Sequence, residues 1–253
     1  CMDVAALNQR GIKPLKEWFD FIDSEVDGTA SGLARVLGRF HAAEIPAVFE
    51  LTARAVAQAG DAVVFSKHAF AVYPLATQAI GAKAIEVPAN AQYGHDLPAM
   101  LEAVLALGEK AKLVFVANPN NPTGGYLQPD LIQAFLEKIP PHVVVVLDEA
   151  YNEYLSPEQR YDAIAWVRKY QNLVVSRSFS KAYGLAGLRI GYGIAQTALT
   201  DLLNRIRQPF NVNSLAQAAA IAALQDEAFL QKGYALNKAG YAQFTQAFAQ
   251  MNL

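Results

Sequence analysis

Ser176-Arg177-Ser178-Phe179-Ser180-Lys181-Ala182-Tyr183-Gly184-Leu185-Ala186-Gly187-Leu188-Arg189-Ile190-Gly191-Tyr192 follows directly on the apolar segment 173–175. One lysine stands at a predicted strand end among hydroxyls and small residues. Walled in there it is poorly solvated, so its amine loses its proton more readily and becomes a nucleophile toward an aldehyde. Ser178, Ser180 and the fork of donors on Arg189 are groups that suit a phosphate. A cofactor that is an aldehyde and carries a phosphate is pyridoxal phosphate. A surface lysine in a loop of glycine and serine fits the tetrapeptide 178–181 as well, and the run by itself leaves both readings open.

Two upstream segments bear on the choice. Val143-Val144-Val145-Val146-Leu147-Asp148-Glu149-Ala150-Tyr151 is an apolar run ending in an acid. It predicts a buried parallel strand with Asp148 at its carboxyl end, where open α/β sheets place ligand groups. A carboxylate there can keep a pyridine nitrogen protonated, and Tyr151 can reach the ring's phenolic oxygen. A Walker B acid has the same pattern, but the chain contains no GxxxxGK[ST] to cradle a nucleotide phosphate. Val114-Phe115-Val116-Ala117-Asn118-Pro119-Asn120-Asn121-Pro122-Thr123-Gly124 predicts a strand running into a turn. Asn121 can donate to the same phenolic oxygen, although alone the segment is an ordinary turn.

NPNNPTG, DEAY and SxSKxxGLAGLRIGY in this order resemble the fold-type I pyridoxal-phosphate aminotransferases, and within them the histidinol-phosphate aminotransferases. The resemblance runs from about Val48 onward. Finer similarity lies in Ser66-Lys67-His68-Ala69-Phe70-Ala71-Val72-Tyr73-Pro74, Tyr93-Gly94-His95-Asp96-Leu97 and Arg207-Gln208-Pro209-Phe210-Asn211-Val212-Asn213-Ser214. It implies that Lys181 holds the cofactor covalently and that Asp148 partners the pyridine nitrogen. Asn121 and Tyr151 then bind the phenolic oxygen, and Ser178, Ser180 and Arg189 the phosphate. Phe70 falls where the family stacks an aromatic ring on the cofactor, though an ordinary core phenylalanine fits equally well. The implied reaction is transamination of L-histidinol phosphate with 2-oxoglutarate in a cytoplasmic homodimer. An aromatic amino acid aminotransferase or a related decarboxylase on the same scaffold is the alternative enzyme, and a non-catalytic remnant of the fold the alternative of another class.

The chain has 253 residues and net charge −2, with no electrostatic reason to bind nucleic acid. Cys1 is its single cysteine, so no disulfide forms within it. No apolar stretch approaches the roughly 18 residues of a membrane helix. Histidines 41, 68, 95 and 142 lack metal-site spacing, so no metal is expected. Gly191-Tyr192-Gly193 lacks the third glycine of a dinucleotide fingerprint. Arg205 and Arg207 read equally as solvated residues or as neighbours of the cofactor. The 17% of charged residues, against about 25% in ordinary domains, predicts buried apolar surface at a subunit or domain interface.

Alternating patterns predict an α/β fold, a mostly parallel sheet flanked by helices. Helices are expected over 48–59, 72–80, 97–107, 129–138 and 158–170 and through most of 197–250. Strands are expected over 62–66, 83–87, 113–117, 143–148, 173–176 and 189–194, the last antiparallel because too few residues precede it for a crossover helix. By resemblance, 48–225 form the large cofactor-binding domain and 226–253 begin a small C-terminal domain that stops early, without its substrate-carboxylate arginine. Residues 1–47 do not match the family's N-terminal arm. Ala42-Ala43-Glu44-Ile45-Pro46-Ala47 stands where the family has a turn rich in Gly, Asn and Ser, whose amides hold the phosphate. Impaired activity is therefore expected of the 253 residues.

Overall fold

The computed structural model describes residues 37–42 and 45–251, with side chains from Ala47 onward. Cys1 and Glu44 lie outside the described residues, as do the expectations for 1–36. Seven strands form one sheet: β1 (Leu37–Ala42), β2 (Ala62–Ser66), β3 (Lys83–Val87), β4 (Ala111–Ala117), β5 (Val144–Asp148), β6 (Leu173–Ser178) and β7 (Gly191–Gln196). Their spatial order is β1-β7-β6-β5-β4-β2-β3. Strands β3, β2, β4, β5 and β6 pair in parallel, and β7 runs against both β1 and β6.

Continuous apolar runs become central strands because both faces are covered, and every residue of β2 and β5 is buried. Successive side chains then serve opposite faces. On one face, Val64, Val114, Val116, Val145 and Leu147 pack with helices α3 (Leu97–Leu107), α4 (Pro129–Lys138) and α5 (Ala163–Lys169), through Met100, Phe135 and Val167 among others. On the other, Val63, Phe65, Phe115 and Val146 meet α1 (Ile45–Val56), α2 (Val72–Ala79) and α6 (Thr197–Ile206) through Phe49, Tyr73 and Leu203. Edge strand β3 exposes Lys83 and Glu86, which discourages pairing with another chain. Asp96, Asp162, Asn213 and Asp226 cap α3, α5, α7 (Ser214–Leu224) and α8 (Glu227–Gln250), each side chain accepting from an amide in the first turn.

Several boundaries differ from expectation; β4 begins at Ala111 rather than 113, and β6 runs to Ser178 rather than 176. The helix expected over 158–170 begins at Ala163, because Asp162 caps it and residues 156–160 close a turn in which Gln159 and Arg160 N–H donate to the Ser156 carbonyl. The strand expected from 189 begins at Gly191, since Arg189 has left-handed backbone (φ +51°) and cannot extend. Helix α1 begins at Ile45 rather than 48. Strand β1 was not expected at all: 37–42 has no apolar run and joins the sheet through backbone pairing with β7.

Candidate active site

The parallel strands end on a common edge, and the loops leaving that edge carry the chemistry. Asp148 is the last residue of β5, Ser178 the last of β6, and Asn121 lies in the turn after β4. Phe70 precedes α2, while Lys181 and Arg189 belong to the loop between β6 and β7. That loop folds back on itself: Phe179 N–H donates to the Ile190 carbonyl and Leu185 N–H to the Phe179 carbonyl. Gly184 closes the turn after Lys181 at φ +70°, donating to the Lys181 carbonyl at 2.9 Å. A Cβ there would also stand 3.3 Å from the Phe229 ring.

All eight residues singled out in the sequence line one cavity of about 330 Å³: Phe70, Asn121, Asp148, Tyr151, Ser178, Ser180, Lys181 and Arg189. Asn121 donates to the Tyr151 hydroxyl at 3.2 Å. Ser178 Oγ accepts from the Ser180 N–H at 2.9 Å, and the Arg189 guanidinium donates to the Ala186 carbonyl. Lys181 Nζ lies 5.4 Å from the centroid of the Tyr151 ring, a cation–π contact. One expectation fails here. Lys181 is exposed rather than walled in, because its neighbours Gly184, Ala186 and Gly187 are exposed too and have no side chains long enough to cover the amine.

Asp148 is buried, and its two oxygens are held from two directions. Tyr73 hydroxyl donates to Oδ2 at 2.8 Å, and the Ala150 N–H to Oδ1 at 3.0 Å. Burial pushes the carboxyl up to about 6, against the pull of these two hydrogen bonds and of the Lys181 charge.

Of the three asparagines in the turn after β4, Asn118 and Asn120 do structural work. Asn118 brackets the Leu127 backbone, accepting its N–H at 2.8 Å and donating to its carbonyl at 3.1 Å. Asn120 donates to the His68 carbonyl and to Thr123 Oγ1. With both fixed, Asn121 is left to face the cavity.

Sequence reasoning missed Tyr73 and the ion pair of Arg177 with Glu149. Nε and Nη2 of Arg177 both reach Glu149 Oε2, at 2.9 and 2.8 Å, and join the ends of β6 and β5. Tyr73 stands in a stretch quoted above, and Glu149 and Arg177 adjoin assigned residues, but their partners are visible only in three dimensions. His95 is buried with its Nε2 against the Ala117 backbone, so it supports β4 rather than the cavity. Arg205 and Arg207 do not line the cavity; Arg207 bonds Asn204 and Asn211. A second cavity of about 580 Å³ opens between the 3-10 turn Asn152–Tyr154, α5 and α8 and holds none of the eight residues. No metal-ligating cluster occurs among the described residues.

Residues 46–251 match the model of the aminotransferase class I and II family, and the chain belongs to that family. Its sheet and flanking helices are those of the fold-type I aminotransferases. Among named relatives, the chain is 65% identical over 206 residues to histidinol-phosphate aminotransferase 2 of Ralstonia nicotianae, and 60% identical over 206 residues to histidinol-phosphate aminotransferase 1 of Cupriavidus pinatubonensis. Each match covers 81% of this chain and 54% of the relative, so the chain spans about half the length of these relatives. The structure of histidinol-phosphate aminotransferase from Sinorhizobium meliloti in complex with pyridoxal-5'-phosphate superposes with a TM-score of 0.77 at 31% identity, over 87% of this chain and 56% of that one.

Proposed function

We propose that this chain carries the pyridoxal-phosphate site of a histidinol-phosphate aminotransferase, which moves an amino group from L-histidinol phosphate to 2-oxoglutarate as a homodimer. The observation that carries the reading is the convergence of eight residues from four separated segments on one cavity. The donor set suits the cofactor: two serine hydroxyls and a guanidinium for the phosphate, and a buried carboxylate for the pyridine nitrogen. Ser180 Oγ is buried without a hydrogen-bond partner among the described residues, and an acceptor such as a phosphate oxygen would satisfy it.

Pyridoxal phosphate, when bound, supplies an aldehyde that takes up the amino group and a ring that accepts the electrons left by the departing proton. Lys181 would hold the cofactor and afterwards move the proton, its amine standing at the cavity wall beside the Tyr151 ring. Asp148, ionised, would keep the ring nitrogen protonated. Asn121 and Tyr151, already hydrogen-bonded to each other, present an amide and a hydroxyl to the phenolic oxygen. Phe70, on the cavity wall, would pack against the ring.

Borohydride reduction after incubation with pyridoxal phosphate, followed by peptide mapping, should place the pyridoxyl label on Lys181. Label on another residue, or none with cofactor in excess, overturns the assignment. Glutamate formation from 2-oxoglutarate with L-histidinol phosphate, but not with aromatic amino acids, tests the donor.

A further inference from the structure

Tyr73 sits in the first turn of α2, fully buried within an aromatic nest. Its ring stacks on Phe115 with centroids 4.6 Å apart and planes 5° from parallel, and meets Phe49 and Phe70 edge-on at 5.1 and 6.0 Å. Such packing leaves the ring no alternative orientation, so the hydroxyl is fixed in space. It points to Asp148 Oδ2 at 2.8 Å.

We propose that Tyr73 is a positioning residue for the amino-transfer site, orienting the Asp148 carboxylate and holding it in the ionised state that a protonated pyridine ring requires. The proposal rests on the function given above. Burial, then the Asp148 charge, pushes the Tyr73 phenol up from its ordinary value, so it stays protonated and serves as donor. Each oxygen of Asp148 takes one bond and keeps acceptor capacity for a donor from the cavity. The groups facing this carboxyl are Tyr73 from α2, Glu149 along the chain, Lys181 from the loop after β6 and Tyr151 on the cavity wall. A carboxyl that burial lifts to about 6 stands close to neutrality, where one hydrogen bond decides its charge.

Tyr73→Phe keeps the stacked ring and removes the hydroxyl alone. In cofactor-free protein, the Asp148 carboxyl carbon, followed by ¹³C NMR and assigned by its loss in Asp148→Asn, should titrate near 6 in the parent and at least about one unit higher in Tyr73→Phe. Affinity for pyridoxal phosphate at pH 6 should fall about fivefold or more and recover as the pH is raised. In an Asp148→Asn background the same change should cost less than about twofold. An unmoved Asp148 titration in folded Tyr73→Phe overturns the proposal, and so does an equal loss of affinity in the Asp148→Asn background. Should Tyr73→Phe fail to fold, the parent decides: the ¹³Cζ signal of Tyr73 must follow the Asp148 titration, and a signal blind to it overturns the proposal. A parent that binds no pyridoxal phosphate instead overturns the proposed function itself, an outcome the cofactor-free titration keeps distinct.

Discussion

Asp148 carries a cost that its site imposes. Its carboxyl ordinarily titrates at 3.8 and is lifted by burial to about 6, so between these values the folded chain binds more protons than the unfolded one. Stability from this group is therefore present at low pH and lost as pH rises through 6, a penalty of about 3 kcal/mol at neutrality. Asp148→Asn does not carry that penalty. Its stability advantage over the parent, measured by urea denaturation without cofactor, should widen by up to about 3 kcal/mol between pH 4 and pH 8, while the proposed transamination should fall steeply. A constant difference across that range sinks the argument. The comparison must be with the parent, because His95 works the other way: burial lowers it from 6.5 to about 4, so its contribution is lost as pH falls. At this scale the sequence was informative where chemistry is local. Lys181, Asp148 and Asn121 stand in motifs whose residue types suggest their partners, whereas Tyr73 reaches Asp148 across 75 positions and no spacing encodes that contact. Small neighbours predict an enclosed amine at Lys181, but Gly184, Ala186 and Gly187 are too short to cover it and leave it exposed.

Elements meet the site at strand ends, and the pair of Glu149 with Arg177 fixes two of those ends together. Glu149 is fully buried and its amide donates to the Ser176 carbonyl, so side chain and backbone both tie β5 to β6 just before Ser178. Removing the guanidinium leaves an unpaired buried acid, which costs about 3–5 kcal/mol, while replacing both partners by apolar groups of similar size costs far less. Arg177→Met should thus lower unfolding free energy by about 3–5 kcal/mol, and Arg177→Met with Glu149→Leu should regain most of it. If the double variant is no better than the single one, the pair is not the clamp described here. Strands β2 and β3 and helices α3 and α4 fall on the expected residues, since apolar runs and amphipathic periods mark them directly. Strand β1 was illegible because its place depends on backbone pairing with β7, 150 or so positions away along the chain.

Over the whole molecule, the low charge content anticipated apolar surface in search of cover, and α8 displays it. No residue of this 24-residue helix is buried. Phe229, Leu236, Tyr241, Phe244 and Phe248 are all exposed, and at 100° per residue they lie within one broad stripe continued by Met251. Near its start the helix does pack on the body: Tyr234 lies under the Arg160 guanidinium, 5.9 Å from ring centroid to carbon, and Phe229 abuts Gly184. The stripe beyond remains in water, and an apolar patch of such extent drives association. Produced by itself, the 253-residue chain should form concentration-dependent oligomers in light scattering coupled to size exclusion. Leu236→Lys with Phe244→Lys places two charges on the most exposed part of the stripe and should shift the population to smaller species, leaving the proposed pyridoxal-phosphate binding at Lys181 intact because neither residue lines the cavity. Unchanged association with both charges in place would assign the oligomer to another surface and leave the α8 stripe without that role.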